Sequence, residues 1–127
     1  MEKRLFGLRG ASGAENTKAS IQNGVTDMCR RLFEQNGLEP QDIVSIHFTL
    51  TKDLTALNPA FALRHGDVGI DVSGCALFSS QEVDIDGSPE GMIRVLVHAY
   101  LKEEAQPRHV YINGAERLRP DFAQKQA

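Results

Sequence analysis

The stretch "TKASIQNGVTDMCRRLFEQ", residues 17–35, carries the one long helical period in the chain. Its apolar residues fall at Ile21, Val25, Met28, Leu32 and Phe33, spaced as one face of a helix. Asn16 or Thr17 supplies the capping side chain, and Gly37 is the stop. Asp27, Arg30, Arg31 and Glu34 form the solvated side. A lone amphipathic helix cannot bury its apolar stripe by itself, so that stripe must cover a sheet.

The rest of the chain supplies the strands. "DIVSIHFTLT", residues 42–51, alternates with period two, which predicts Val44, Ile46, Phe48 and Leu50 toward the core. Ile43, Ser45, His47 and Thr49 then point the other way. "NPAFALRHG", 58–66, opens with proline in the first turn and ends at glycine, a short helix. "RLFGLRG" at 4–10 is a short strand, and "DVGIDVSGCALFSSQEVDI" at 67–85 holds one or two. "GMIRVLVHAYL" and "RHVYING" are two more. The prediction is an α+β fold: a mixed five-stranded sheet with one long helix on one face and a short helix. It occupies residues 1–127 as a single domain, with 122–127 as a flexible tail.

Composition narrows the function. A formal charge of −3 argues against general nucleic-acid binding, which needs a basic face. No run reaches the roughly 20 apolar residues of a membrane span, and "MEKRLFGLRG" lacks the apolar core of a signal peptide. Cys29 and Cys75 have no metal or redox spacing and are expected as free thiols in a reducing cytoplasm. There is no GxSxG, HExxH or Walker loop, and His47, His65, His98 and His109 lack ligand spacing. Neither metal nor cofactor is expected.

Arginines near element ends remain: Arg9, Arg64, Arg94 and Arg119. With Glu82 and Tyr111 they suit a small dianion that also bears a hydroxyl, because a guanidinium forks onto carboxylates. Taken alone this is the weaker reading, since arginines at strand ends are more often solvated groups or members of ion pairs. Glu82 and Arg94, in particular, are either an ordinary pair or two halves of a binding site.

A set of ordered motifs bears on that choice. They are "RGAS" after the first strand, "DL" at 53–54, "PA" at 59–60 followed by Arg64, and "QEVDI" at 81–85. "IRVLV" at 93–97, "RHVY" at 108–111 and "LRPD" at 118–121 complete the set. Across nearly the whole chain this pattern resembles the AroH-class, Bacillus-type trimeric chorismate mutases.

The resemblance implies a homotrimer whose sheets pack into a pseudo-α/β barrel, with each active site between two subunits, acting on chorismate without metal or cofactor. It implies that Arg9 pairs with a substrate carboxylate and Glu82 accepts the ring hydroxyl's hydrogen bond. Arg94 contacts the ether oxygen and a carboxylate, and Tyr111 donates to a carboxylate. Arg64 and Arg119 stand at the mouth beneath a mobile C-terminal segment. Ala60 and Leu118, inside the "PA" and "LRPD" motifs, join the substrate-binding set. Glu82 and Arg94 are then expected to reach opposite ends of one ligand from neighbouring strands.

This chain departs from that family's pattern in three places. Ser79 stands where the family has cysteine, and Asn58 and Phe61 replace an aromatic residue and a lysine on a wall supplied by the neighbouring subunit. A few extra residues also lie between Arg64 and Glu82. Alternatives therefore stay open: altered or weak activity on another chorismate-derived or enolpyruvyl ligand, or a non-catalytic trimer that binds a small carboxylate.

Overall fold

The computed structural model describes residues 2–123. In chain order the elements are β1 (Lys3–Gly13), α1 (Lys18–Gln35), β2 (Ile43–Leu50), α2 (Pro59–His65) and β3 (Ala76–Gln81). They continue with β4 (Met92–Lys102), β5 (Val110–Ile112) and α3 (Pro120–Ala123). Short 3-10 turns cover Pro40–Asp42 and Ala115–Leu118. The sheet is mixed, in the order β3-β2-β4-β1-β5. Central β4 runs antiparallel to β1 and β2, while the outer pairs β1–β5 and β2–β3 are parallel. Within one chain the predicted mixed five-stranded sheet with one long and one short helix is the observed one, and α3 adds a second short helix.

Thr17 caps α1 by accepting the Ser20 amide at 3.0 Å. Asn16 has a different role, accepting the amides of Thr55 and Ala56. The stripe Ile21, Val25, Met28, Leu32 and Phe33 is buried against Leu8, Ile46, Phe48, Ile93, Val95 and Val97 of the sheet. Each such side chain contributes about 1.5–3 kcal/mol by leaving water. Close approach depends on Gly10, where an added Cβ would lie 2.9 Å from Val95 and 3.1 Å from Met28.

Two strand readings change. Val44, expected in the core, is 48% exposed, and Ile43 is buried instead. A bulge between Ile43 and Ser45 inverts the alternation there, and Ile46, Phe48 and Leu50 resume the inward face. The first strand also runs longer than 4–10, because it follows β4 in register from Lys3 to Gly13.

The sheet face away from α1 carries Leu5, Phe78, Leu96 and Tyr100, all exposed. One end of that face is covered by the chain itself: Ala115, Leu118 and Phe122 pack on Ala11, Met92 and Tyr111. Phe122, expected to begin a flexible tail, therefore belongs to α3, and residues 124–127 of that tail lie outside the described residues. Among the described residues no helix is long and apolar enough to cross a membrane. Cys29 and Cys75 are free, and burial pushes the Cys29 thiol far up.

Candidate functional site

Register across the sheet builds the site. On the face away from α1, one row reads Ser80, Thr49, Arg94, Ala11, Tyr111 across β3, β2, β4, β1 and β5. The adjacent row reads Phe78, His47, Leu96, Arg9. Side chains two apart on a strand share a face, so the two rows lie side by side. Between them is a cavity of about 280 Å³ lined by Arg9, His47, Thr49, Glu82, Arg94, Leu96 and Tyr111. Small Ala11 leaves room in the row between Arg94 and Tyr111.

Glu82 enters from just beyond β3, where its amide donates to the Leu50 carbonyl at 2.8 Å. It was expected on a strand adjacent to that of Arg94, but β2 lies between β3 and β4. Thr49 on that intervening strand fills the gap, its hydroxyl donating to Glu82 Oε1 at 2.5 Å. Arg94 Nε lies 3.3 Å from the same oxygen. The two charged groups are thus an ion pair, contrary to the expectation that they stand apart at opposite ends of a ligand. The pair also faces the cavity: Arg94 is 44% exposed, so its two terminal nitrogens can meet another anion.

Glu82 and Arg94 also border a second hollow of about 400 Å³ under the 82–91 loop. Asp53, Asp84, Asp86 and Glu90 line it against Lys52, an acidic excess that repels a dianion. The smaller cavity has two arginines against one carboxylate and suits an anion better. Asp53 anchors the loop by accepting the Gly91 amide at 3.0 Å, just before β4 begins. Burial pushes its carboxyl up, but the Thr51 hydroxyl and the Gly91 amide outweigh this and hold it below the ordinary range.

The remaining expected residues fall into two places. Arg119 and Leu118 lie beside the cavity: Leu118 packs on the Tyr111 cluster, and Arg119 stacks 3.7 Å over the ring of Phe122. Phe122 in turn sits 6.0 Å from the Tyr111 ring. Arg119 is held by Asp121, at 2.8 and 3.1 Å. Asn58, Ala60, Phe61, Arg64 and Ser79 do not line this cavity. Asn58 caps α2 by accepting the Ala60 amide at 2.9 Å, and its Oδ1 also accepts the Ser79 hydroxyl at 3.0 Å. Asn58 and Ser79 line a separate cavity of about 360 Å³. Ala60 packs on the core, and exposed Phe61 stacks with His65 at 3.9 Å, with Arg64 5.9 Å from its ring.

Sequence reading did not single out Thr49 and His47 as site residues. The period-two pattern had placed both on the outward face of their strand, the face that Arg94 shares once β2 and β4 are paired.

Comparison with known proteins bears on the chain as a whole. The family described as Chorismate mutase type I matches residues 5–122. The chain is 35% identical to Chorismate mutase AroH of Thermus thermophilus over 124 residues, covering 94% of this chain and 98% of the relative. It is 31% identical to Chorismate mutase AroH of Bacillus subtilis, covering 94% and 93%. Among solved structures, chorismate mutase from Clostridium thermocellum superposes with a TM-score of 0.79 at 38% identity, covering 88% of this chain and 98% of that one.

Proposed function

This chain belongs to the chorismate mutase type I family, and we propose that it rearranges chorismate to prephenate in the cavity between the two cross-strand rows. The reaction is unimolecular and pericyclic: a C–O bond breaks as a C–C bond forms, with no nucleophile or proton transfer. The protein must hold the enolpyruvyl side chain over the ring and stabilise negative charge growing on the ether oxygen. A fixed guanidinium aimed at that oxygen acts more strongly on the transition state than on the substrate, so it raises kcat.

Arg94 takes that role. Its Nε is occupied by Glu82, which fixes the plane of the fork and leaves the terminal nitrogens for ether oxygen and carboxylate. Glu82 keeps further lone pairs for the ring hydroxyl. Arg9 and Tyr111 take the carboxylates, with Arg119 and Leu118 closing one side. The observation that carries the reading is the convergence of Arg9, Glu82, Arg94 and Tyr111 on one cavity, in a chain of this family.

The site is completed by a second copy of the chain. Within one chain Asn58, Ala60, Phe61, Arg64 and Ser79 stand apart from that cavity, and Leu5, Phe78, Leu96 and Tyr100 leave an apolar sheet face uncovered. A homotrimer that packs these faces together covers the apolar surface and brings the α2 wall of one subunit to the cavity of the next. The chain's two free cysteines suit a reducing compartment, and we assign it to the cytoplasm.

The test is to mix the purified protein with chorismate, follow its ultraviolet loss and identify prephenate by mass. Turnover above the buffer rate supports the proposal; its absence refutes it. Light scattering should give about 42 kDa, three copies of a 14.0 kDa chain, and a lighter particle would refute the trimer.

A further inference from the structure

The parallel ladder between β1 and β5 begins at the Gly10–Val110 pair, so Arg9 lies one residue before the first strand partner. Its backbone amide would otherwise end the ladder without a carbonyl. A side chain supplies the acceptor: His109 Nδ1 takes the Arg9 N–H at 2.9 Å. That bond requires Nδ1 to be unprotonated, with the ring proton on Nε2. The same ring packs, tilted by 36°, on Phe122 of α3 with centroids 4.2 Å apart, and Phe122 carries the Arg119 guanidinium at 3.7 Å. Tyr111, two residues on and inside β5, packs on the same phenyl ring. One half-buried imidazole therefore touches the backbone of one cavity arginine and the platform of another.

We propose that His109 is a positioning residue, holding the Arg9 main chain and docking α3 so that Arg9, Tyr111 and Arg119 present one anion-binding edge. It is not one of the residues that line the cavity and acts through Arg9 and Phe122. The proposal rests on the chorismate reading only for its kinetic consequence. Its structural consequence, order at Arg9 and α3, is independent of substrate.

Two variants separate the acceptor from the ring. His109→Asn places an amide oxygen near the Nδ1 position and removes the ring that packs on Phe122. His109→Phe keeps a ring against Phe122 and removes the acceptor. Both are measured in the full-length protein by chorismate kinetics, and by amide exchange at Arg9 and across 119–122 by NMR.

In H109F the Arg9 amide should exchange faster, and KM should rise roughly fivefold with little change in kcat, because a carboxylate contact is lost equally from substrate and transition state. H109N should restore Arg9 protection and most of KM, while exchange across 119–122 quickens. Wild-type KM and wild-type Arg9 exchange in H109F would overturn the proposal. So would equal losses in both variants without this split, the signature of general destabilisation. If the parent protein does not turn over chorismate, the functional reading fails, and the exchange pattern still decides the role of His109.

Discussion

Replacing Arg94 with lysine separates charge from geometry. In the parent, Arg94 Nε holds Glu82 Oε1 at 3.3 Å, and Thr49 braces that oxygen at 2.5 Å. One guanidinium thus serves the carboxylate through Nε and a ligand through its terminal nitrogens. A lysine ammonium is a single point, and on this strand it must sit on Glu82 or on the ligand. Positive charge survives, but the aimed donor does not.

The fold should tolerate the change. The arginine is 44% exposed and its pair with Glu82 is screened, so the bridge is worth at most about 1 kcal/mol of stability. That corresponds to a fall in Tm of only about 4 °C for a chain of this size. Catalysis should suffer far more. Losing a preorganised donor to a developing oxyanion costs about 3–4 kcal/mol, or about 10²- to 10³-fold in kcat.

The assay is the initial rate of chorismate loss across a substrate series, so that kcat and KM are resolved, with Tm measured on the same preparations. The expected result is a kcat lower by about two to three orders of magnitude, with Tm moving little and KM rising only roughly fivefold through the weakened carboxylate contact. A kcat within about threefold of the parent at unchanged Tm would refute the aimed-donor argument. A loss confined to KM would show that Arg94 binds substrate and transition state alike.

Thr49→Val removes the hydroxyl from Glu82 and leaves the Arg94 pair without its brace; kcat/KM should fall about tenfold, the worth of one hydrogen bond to a charged group. An unchanged value would mean that Glu82 needs no brace. Restoring an aromatic residue at position 58 together with Phe61→Lys and Ser79→Cys should raise turnover if the altered wall limits it, despite about 1 kcal/mol lost with the Asn58 cap on α2. An unchanged rate would make these departures neutral. Gly13→Ala sets a Cβ 2.1 Å from the Asn113 carbonyl oxygen, a backbone clash that should cost at least about 2 kcal/mol in denaturant unfolding. Asp42 is pushed up by burial, but the Lys3 ammonium at 2.6 Å and the Glu39 amide outweigh this and hold its carboxyl below the ordinary range. A depressed folded value means stability that is full above the unfolded pKa of about 3.9 and lost as pH falls through the folded one. The stability gap between parent and Asp42→Asn should therefore be constant near neutrality and close in acid; a pH-independent gap would refute the charge argument.

Local pattern made the elements legible, and pairing decided what it could not. The α1 stripe and the inward run Ile46, Phe48, Leu50 follow from periods that each segment carries alone. The bulge after Ile43 has no such signature, because it arises from how β2 meets β4, and it sends Val44 outward. The site divides in the same way. Arg9, Glu82, Arg94 and Tyr111 stand out by residue type and place, but that alone leaves them divided between ion pairs and an anion site, and only the family motifs favour the site. Thr49 is the opposite case: its outward direction was readable, but its meaning depended on the register that sets it beside Arg94. That register also explains why Glu82 can meet Arg94 across an intervening strand. A threonine hydroxyl is short enough to stand between the two and polar enough to bind one of them. A larger side chain at position 49 would separate the pair, and an apolar one of equal size would leave Glu82 Oε1 to Arg94 alone. The character of the Glu82–Arg94 pair, structural or functional, therefore turns on a residue that belongs to neither strand end.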